Sequence, residues 1–504
     1  MNKRIMNVVN FVRGVEPRDK TADLYAPVVN QIEFNRKYNI PATFLLQYDA
    51  MLRRDFRHLF QKEKDGNIET GVWLENCRAL IEKIGLQWRG REGYDWDWHV
   101  NVGFLQGYTL EQREKIVDEV FRLYKELFGE YPQVVGSWLL DAYSMRYMSE
   151  KYHIKAFCIC REQYGIDAYT LWGGYSSGGY YPCRNNMICP AQTEQEQIPV
   201  PTFRMLGADP IYSYDESKYC KEDFGVWTLE PGWTCGRDPK LADWYFNVYY
   251  KTPCLAFSEA TTGQENSFTW PCIRDGYCMQ IEKLAALRDE GVISLEKLGD
   301  TGEAFKRAYK LTPPQAQVAL EDWNGNGIKT VWYNSRYYRA NLFLKDGELF
   351  FRDLQKYDEC YKERYLTSAC EKWSAVYDVF PLLDSRFWSK EGNECRLLVH
   401  GRVKDIAVVE ESACDLLVTV VFENGDEGSI LFKEGKMIFQ KLALQYAIGE
   451  PQDCKISEKG NAYSYRYNGY TYQIEVEGNV EACKKGWEWS ADGKDLTVKI
   501  ADEN

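Results

Sequence analysis

The residues of this chain whose types and spacing could do chemistry are carboxylates at the ends of short apolar runs, each with aromatic rings nearby. VVGSWLLDAYS (134–144) ends an apolar run on Asp141, beside Trp138. NFVRGVEPRD (10–19) carries Arg13 and Glu16, and ETGVWLE (69–75) carries Trp73 and Glu75. GREGYDWDWHVN (90–101) packs Trp96, Asp97, Trp98 and His99 into one stretch. Arg161 and Glu162 follow another apolar run, and FSEATTGQENSFTW (257–270) holds Glu259, Glu265 and Trp270. Taken singly, such an acid is explained by capping the next helix or by pairing with an arginine. Repeated at run after run, the pattern points to one site. Two carboxyl groups can cleave a glycosidic bond when one is protonated to help the leaving oxygen. Apolar and indole surroundings raise an acid's pKa by desolvation and keep that proton on.

Other chemistries lack their residues. The four histidines are His58, His99, His153 and His400, and only His99 falls in a candidate site stretch. No H-x-x-E-H, H-x-x-x-H or H-x-D pattern supports a catalytic zinc, so no metal and no cofactor are expected. GYSSGG (174–179) lacks the spacing of a nucleophile elbow. Phosphate-loop and dinucleotide fingerprints are absent. The 16 cysteines form no C-x-x-C pair and read as reduced thiols of a cytoplasmic protein. A net charge of −13 argues against nucleic acid. No run approaches eighteen apolar residues, so no membrane partner is expected. MNKRIMNVVNFV reads as a first strand rather than a signal peptide. The 15% aromatic content suits a surface that stacks on sugar rings, which makes a carbohydrate the expected partner.

The elements that must position these residues alternate. Strands are expected at Ile5–Val12, Ala42–Leu46, Ile68–Leu74, Val134–Leu140, Lys155–Cys160, Val200–Leu206 and Pro253–Ser258. A strong helix is expected over Thr109–Phe128, with Thr109 and Gln112 as a capping box and Gly129 as its stop. Another is expected near Ser144–Tyr152. This β-α order predicts an α/β fold, a (β/α)7-type, TIM-like barrel of parallel strands over residues 1–310. Active sites of such barrels sit at the carboxyl ends of the strands. After Thr312-Pro313-Pro314 the texture changes to β-type runs between glycine turns. The clearest is SYRYNGYTYQIEV (464–476), which alternates on both sides of Asn468-Gly469. FENGDEGSI (422–430) is a second, looser hairpin. Residues 311–504 are therefore expected to form a mostly antiparallel, sandwich-like β-rich domain with a helical interlude near 355–378. Its expected job is packing against the barrel or assembly into a homo-oligomer.

With those residues laid out, the chain resembles, distantly, the glycoside hydrolase/deacetylase barrel superfamily. It looks most like the family-57-type glycoside hydrolases. Gly136-Ser137-Trp138-Leu139-Leu140-Asp141 stands where that family's strand-four motif carries a nucleophile, and Gln264-Glu265-Asn266-Ser267-Phe268-Thr269-Trp270 resembles the motif that carries its general acid. The resemblance implies a retaining glycosidase in which Asp141 attacks and Glu265, or else Glu259, gives the proton. Trp73, Trp96, Trp98, Trp138 and Trp270 would wall the sugar, and Arg13, Glu16, Glu75, Asp97, His99, Arg161 and Glu162 would bind its hydroxyls. The nucleophile would be Asp rather than Glu, and the family's strand-one His pattern is replaced by NFVRGVEPR. The deacetylase branch's Asp and paired-His metal ligands have no counterpart. Two alternatives stand beside this reading: a metal-dependent carbohydrate esterase/deacetylase using His99 with acidic ligands, and a non-catalytic carbohydrate-binding protein on the same barrel.

Overall fold

Seven short parallel strands curl into a barrel that lacks one line of hydrogen bonds. The computed structural model describes residues 3–63, 66–162, 173–176, 178–205, 209–215, 228–377, 379–384, 395–449 and 454–501. In chain order the strands are β1 (Lys3–Val12), β2 (Ala42–Leu46), β3 (Ile68–Trp73), β4 (Val134–Ser137), β5 (Ala156–Cys160), the antiparallel edge pair-piece β6 (Gly179–Tyr180), β7 (Thr202–Met205), β8 (Phe257–Thr262) and β9 (Ser294–Glu296). Hydrogen bonding runs β7-β5-β4-β3-β2-β1-β8, all parallel, with β6 on β7 and β9 on β1. The seam lies between β7 and β8, where Phe203 and Phe257 face each other at 6.4 Å.

These strands read as unbroken apolar runs because helices cover their outer side while their inner side fills the barrel. β2, β4 and β5 are buried at every position. The expected helix spans Leu110–Phe128, with the Thr109–Gln112 capping box formed and Gly129 closing it at φ 88°. The seventh strand is displaced from expectation: it covers Phe257–Thr262, not Pro253–Ser258. The apolar signal stops at Ser258. The strand continues through Thr261 and Thr262 because their hydroxyl-bearing side chains are buried, with Thr262 donating to the Gln280 side chain. The expected strand end at Leu206 lies outside the described residues.

From Gln315 onward the described strands are antiparallel and form two sheets sharing a second core. Asn468 (φ 46°) and Gly469 (φ 78°) make the two-residue turn of the predicted hairpin, with Tyr467 opposite Tyr470. The strands flanking FENGDEGSI pair as well, Val421 opposite Glu427. The helical interlude near 355–378 is a correction, since the described residues from 357 to 377 contain no helix. Their backbone is committed elsewhere. The carbonyls of Tyr365 and Ser368 accept from the Arg113 guanidinium, Trp373 accepts from the Val100 amide, and the Cys370 amide donates to Gln106. Residues 357–377 thus form a strap lying on the barrel. Among the described residues no helix is long and apolar enough to cross a membrane.

Candidate active site

Arg13 leaves the carboxyl end of β1 and is the hub of the barrel mouth. Its Nη1 donates to Glu75 at 2.7 Å and its Nε to Glu265 at 3.0 Å. β1, β3 and β8 deliver these three residues, so a cation sits between two carboxylates that come from strands on either side of β1. The Trp96 ring lies 3.9 Å from the guanidinium carbon, closing it from beneath. Burial works against the Arg13 charge, but Glu75 and Glu265 outweigh it and raise the guanidinium above its ordinary value. Glu75 also accepts from the Trp73 indole at 2.9 Å, and burial raises its carboxyl despite Arg13. The Ser267 hydroxyl donates to Glu265.

Two acids in this region escape sequence reasoning. Glu230 is buried, and burial followed by the neighbouring Glu265 pushes its carboxyl up to about 8. Gln264, from the loop after β8, donates to Glu230 at 2.9 Å. Glu230 sits in TLEPGWT (228–234), outside any apolar run, so no strand-end signal marks it. Asp49, after β2, accepts from the Gly14 and Val15 amides at 2.9 and 3.2 Å, pinning the turn that carries Arg13. Its carboxyl is pushed up to about 6 by burial. A Cβ on Gly14 would stand 2.4 Å from the Asp49 backbone, so the turn requires glycine there.

The other expected residues fall into three groups. Some build the wall. Trp73 stacks on Phe11 at 4.2 Å, and Trp138 meets both edge-on. Glu16 sits nearby, held by Arg18 at 2.7 Å. Others hold the rim loop. Asp97 is fully buried and accepts from the Arg91 side chain at 2.9 and 3.1 Å, while His99 Nδ1 lies 3.3 Å from it. Trp98 packs under Arg91 at 3.8 Å. Some lie apart. Glu162 lines a cavity of about 40 Å³ with Arg161, Asp209, Tyr214, Gln317 and Trp332, while Arg161 also acts on Glu230, lowering its carboxyl against the effect of burial. Glu162 also pairs with Arg339 at 2.9 Å. Trp270 begins the helix Trp270–Asp289 and touches Tyr277 at 6.3 Å. Glu259 lies within β8, against a cavity of about 10 Å³ shared with Gln315 and Gln317. Neither of its oxygens has a hydrogen-bond partner among the described residues, and burial pushes it up to about 8.

Asp141 is a helix cap. It is fully buried, and Oδ1 accepts from Arg113 at 2.9 Å and from the Ser144 amide at 2.9 Å, while Oδ2 accepts from the Ser144 hydroxyl at 2.8 Å. It belongs with Arg113 beneath the strap, close to the strap's own Glu363, rather than with Glu265. A divalent metal does not fit this mouth either. Glu75 and Glu265 are already paired with Arg13, a cation occupying the place between them, and His99 is turned toward Asp97. Among the described residues no three His, Cys, Asp or Glu side chains are placed to hold a metal ion together.

The barrel has solved relatives in shape. A protein from Parabacteroides distasonis, provisionally described as a glycoside hydrolase/deacetylase, superposes with a TM-score of 0.55 at 15% identity, covering 74% of this chain and 90% of that one. The fold is shared with a glycoside hydrolase/deacetylase-type barrel. A protein from Mycobacterium smegmatis provisionally described as a polysaccharide deacetylase gives 0.40 at 13% identity, covering 62% and 93%. A similarly described protein from Pseudomonas aeruginosa PAO1 gives 0.38 at 11%, covering 61% and 92%. A family model described as "Domain of Unknown Function with solved-structure structure (DUF3863)" matches residues 101–253. No curated protein matches the sequence.

The expected O-glycosidase is therefore corrected. Its nucleophile is spent on a buried ion pair and a helix cap, and its two catalytic carboxylates lie in separate clusters. The particular likeness to family-57 enzymes, which rested on those two motifs, loses its footing, while the barrel fold stands.

Proposed function

We propose that the chain is a carbohydrate-active hydrolase that removes an acyl group from a saccharide, using protein side chains alone. The observation that supports this most is that buried Glu230, held by Gln264 at 2.9 Å, lies near enough to Glu265 at the barrel mouth to feel its charge. One carboxyl is held protonated near neutral pH by burial, and the other is ion-paired with Arg13. Two acids in such different settings are the ordinary arrangement for an acid and a base in one site. In this reading Glu265 takes a proton from water, whose oxygen attacks the acyl carbonyl carbon. Arg13 faces the negative charge that develops on the carbonyl oxygen. Glu230 then gives its proton to the departing sugar oxygen or nitrogen as the acyl bond breaks. The products are a carboxylic acid and the freed hydroxyl or amine.

Acetate release from acetylated xylo- and chito-oligosaccharides, followed with and without chelator, tests the proposal. Release that survives chelation and is lost in Glu230→Gln supports it. Binding of the same sugars without any release would instead favour the non-catalytic carbohydrate-binding reading.

A further inference from the structure

We infer that the substrate is an extended saccharide chain, and that Trp373 on the strap is an outer platform leading it to Arg13. The inference rests on the carbohydrate reading above and names the form of its substrate. Trp373 is 67% exposed, more than any other large hydrophobic residue among those described. A large ring left in water forgoes the stabilisation that burial would bring. Its position is nonetheless fixed. The Trp373 carbonyl accepts from the Val100 amide at 2.7 Å, Asn101 donates to the Glu371 carbonyl at 3.3 Å, and Cys370 donates to the Gln106 carbonyl at 2.7 Å. One face of the indole lies parallel to the His99 ring at 4.6 Å, with an interplanar angle of 8°. The other is open.

From there a packed run of rings, buried by the time it reaches Trp96, ties the exposed platform to the mouth. His99 meets Trp98 at 6.1 Å, Trp98 meets Trp96 at 6.0 Å, and Trp96 carries the Arg13 guanidinium at 3.9 Å. Each step is roughly a ring's width. Burial lowers the His99 imidazole below its ordinary value, so the stack presents a neutral face near neutral pH. Exposed Glu371 and Lys372 flank Trp373, and Arg91 lies over Trp98, so polar groups border the rings. A sugar ring has this combination of an apolar C–H face and a hydroxyl rim, whereas an apolar protein partner would meet charges at the border. The sequence run DWDWH supplies the inner steps, and the strap supplies the outermost one from more than two hundred residues away.

The test titrates the full chain with xylo- and chito-oligosaccharides of increasing length, reading tryptophan fluorescence and, where acyl release occurs, KM. In the unaltered protein affinity is expected to rise with length. Trp373→Ala is expected to weaken binding of the longest chains by up to about tenfold, in line with one stacking contact, and to flatten the gain with length. Trp373→Tyr should restore most of it. The anchors are backbone groups, so unfolding curves of both variants should overlay the original. Affinity independent of length, or an equal loss at every length in Trp373→Ala, overturns the inference. Length-dependent binding through Trp373 without acyl release upholds it and sinks the deacylation reading alone. Absence of binding to every sugar sinks both.

Discussion

Arg13 and Glu75 meet at 2.7 Å with side chains 3% and 0% exposed, so the centre of the barrel mouth is a desolvated ion pair. A buried pair of this kind is costly to break, because the surviving charge has no water to return to. Arg13 also separates Glu75 from Glu265, two carboxylates that would otherwise repel across a low-dielectric gap.

Replacing Arg13 with Met should therefore destabilise the protein by roughly 3–5 kcal/mol and abolish turnover, as read by urea unfolding and acetate release. The double variant Arg13→Met, Glu75→Gln should recover part of the stability and none of the activity. Equal stability of Arg13→Met and the original protein would remove the hub from this account.

Glu230→Gln should lower turnover by about 10²-fold or more, the usual contribution of a positioned acid, with little loss of fold. In the original protein activity should fall as pH rises through about 8, where the Glu230 proton leaves. A profile flat from pH 6 to 9, roughly one unit or more either side of that value, would exclude Glu230 as the acid.

Glu259 gives a stability prediction with a defined sign. Its folded pKa, about 8, lies above its ordinary 4.5, so the folded state holds a proton that the unfolded chain has released between those values. Its contribution is full below the unfolded pKa and fades as pH rises toward about 8, at up to roughly 1.4 kcal/mol per pH unit. Glu259→Gln should flatten that slope and leave the variant the more stable protein above pH 8. Denaturant unfolding across the range reads this directly, and an unchanged slope would contradict it.

Asp141→Asn should cost roughly 3–5 kcal/mol through the stranded Arg113 charge, and Asp141→Ala about 1 kcal/mol more through the lost cap. Turnover per folded molecule should be retained in both. A nucleophile would behave in the opposite way, with stability kept and turnover lost.

Exhaustive chelation should leave both the unfolding midpoint and acetate release unchanged, because Arg13 already neutralises the carboxylates a metal would need. Recovery of activity on adding zinc after such treatment would reverse the metal-free reading.

Much of the frame was legible in the sequence. Periodicity placed six of the seven parallel strands and the capped helix Leu110–Phe128, and Asn468-Gly469 announced its hairpin, because local backbone preference and burial write themselves into neighbouring residues. Strand ends also marked Arg13, Glu75 and Glu265 as neighbours of one mouth. What the local pattern could not carry was pairing. Asp141 and Glu265 look alike in sequence, yet one caps a helix beside Arg113 and the other faces Arg13, a difference set by residues far away in the chain. Glu230 has no pattern around it and gains its raised pKa only from burial beside Glu265. The segment 357–377 has helical composition but spends its backbone hydrogen bonds on Arg113 and the rim loop, contacts that exist only once the barrel has formed. Side-chain type and spacing are local properties. Burial, charge neighbours and the route of a strap are set by the whole fold, and they decide which of the acids can act.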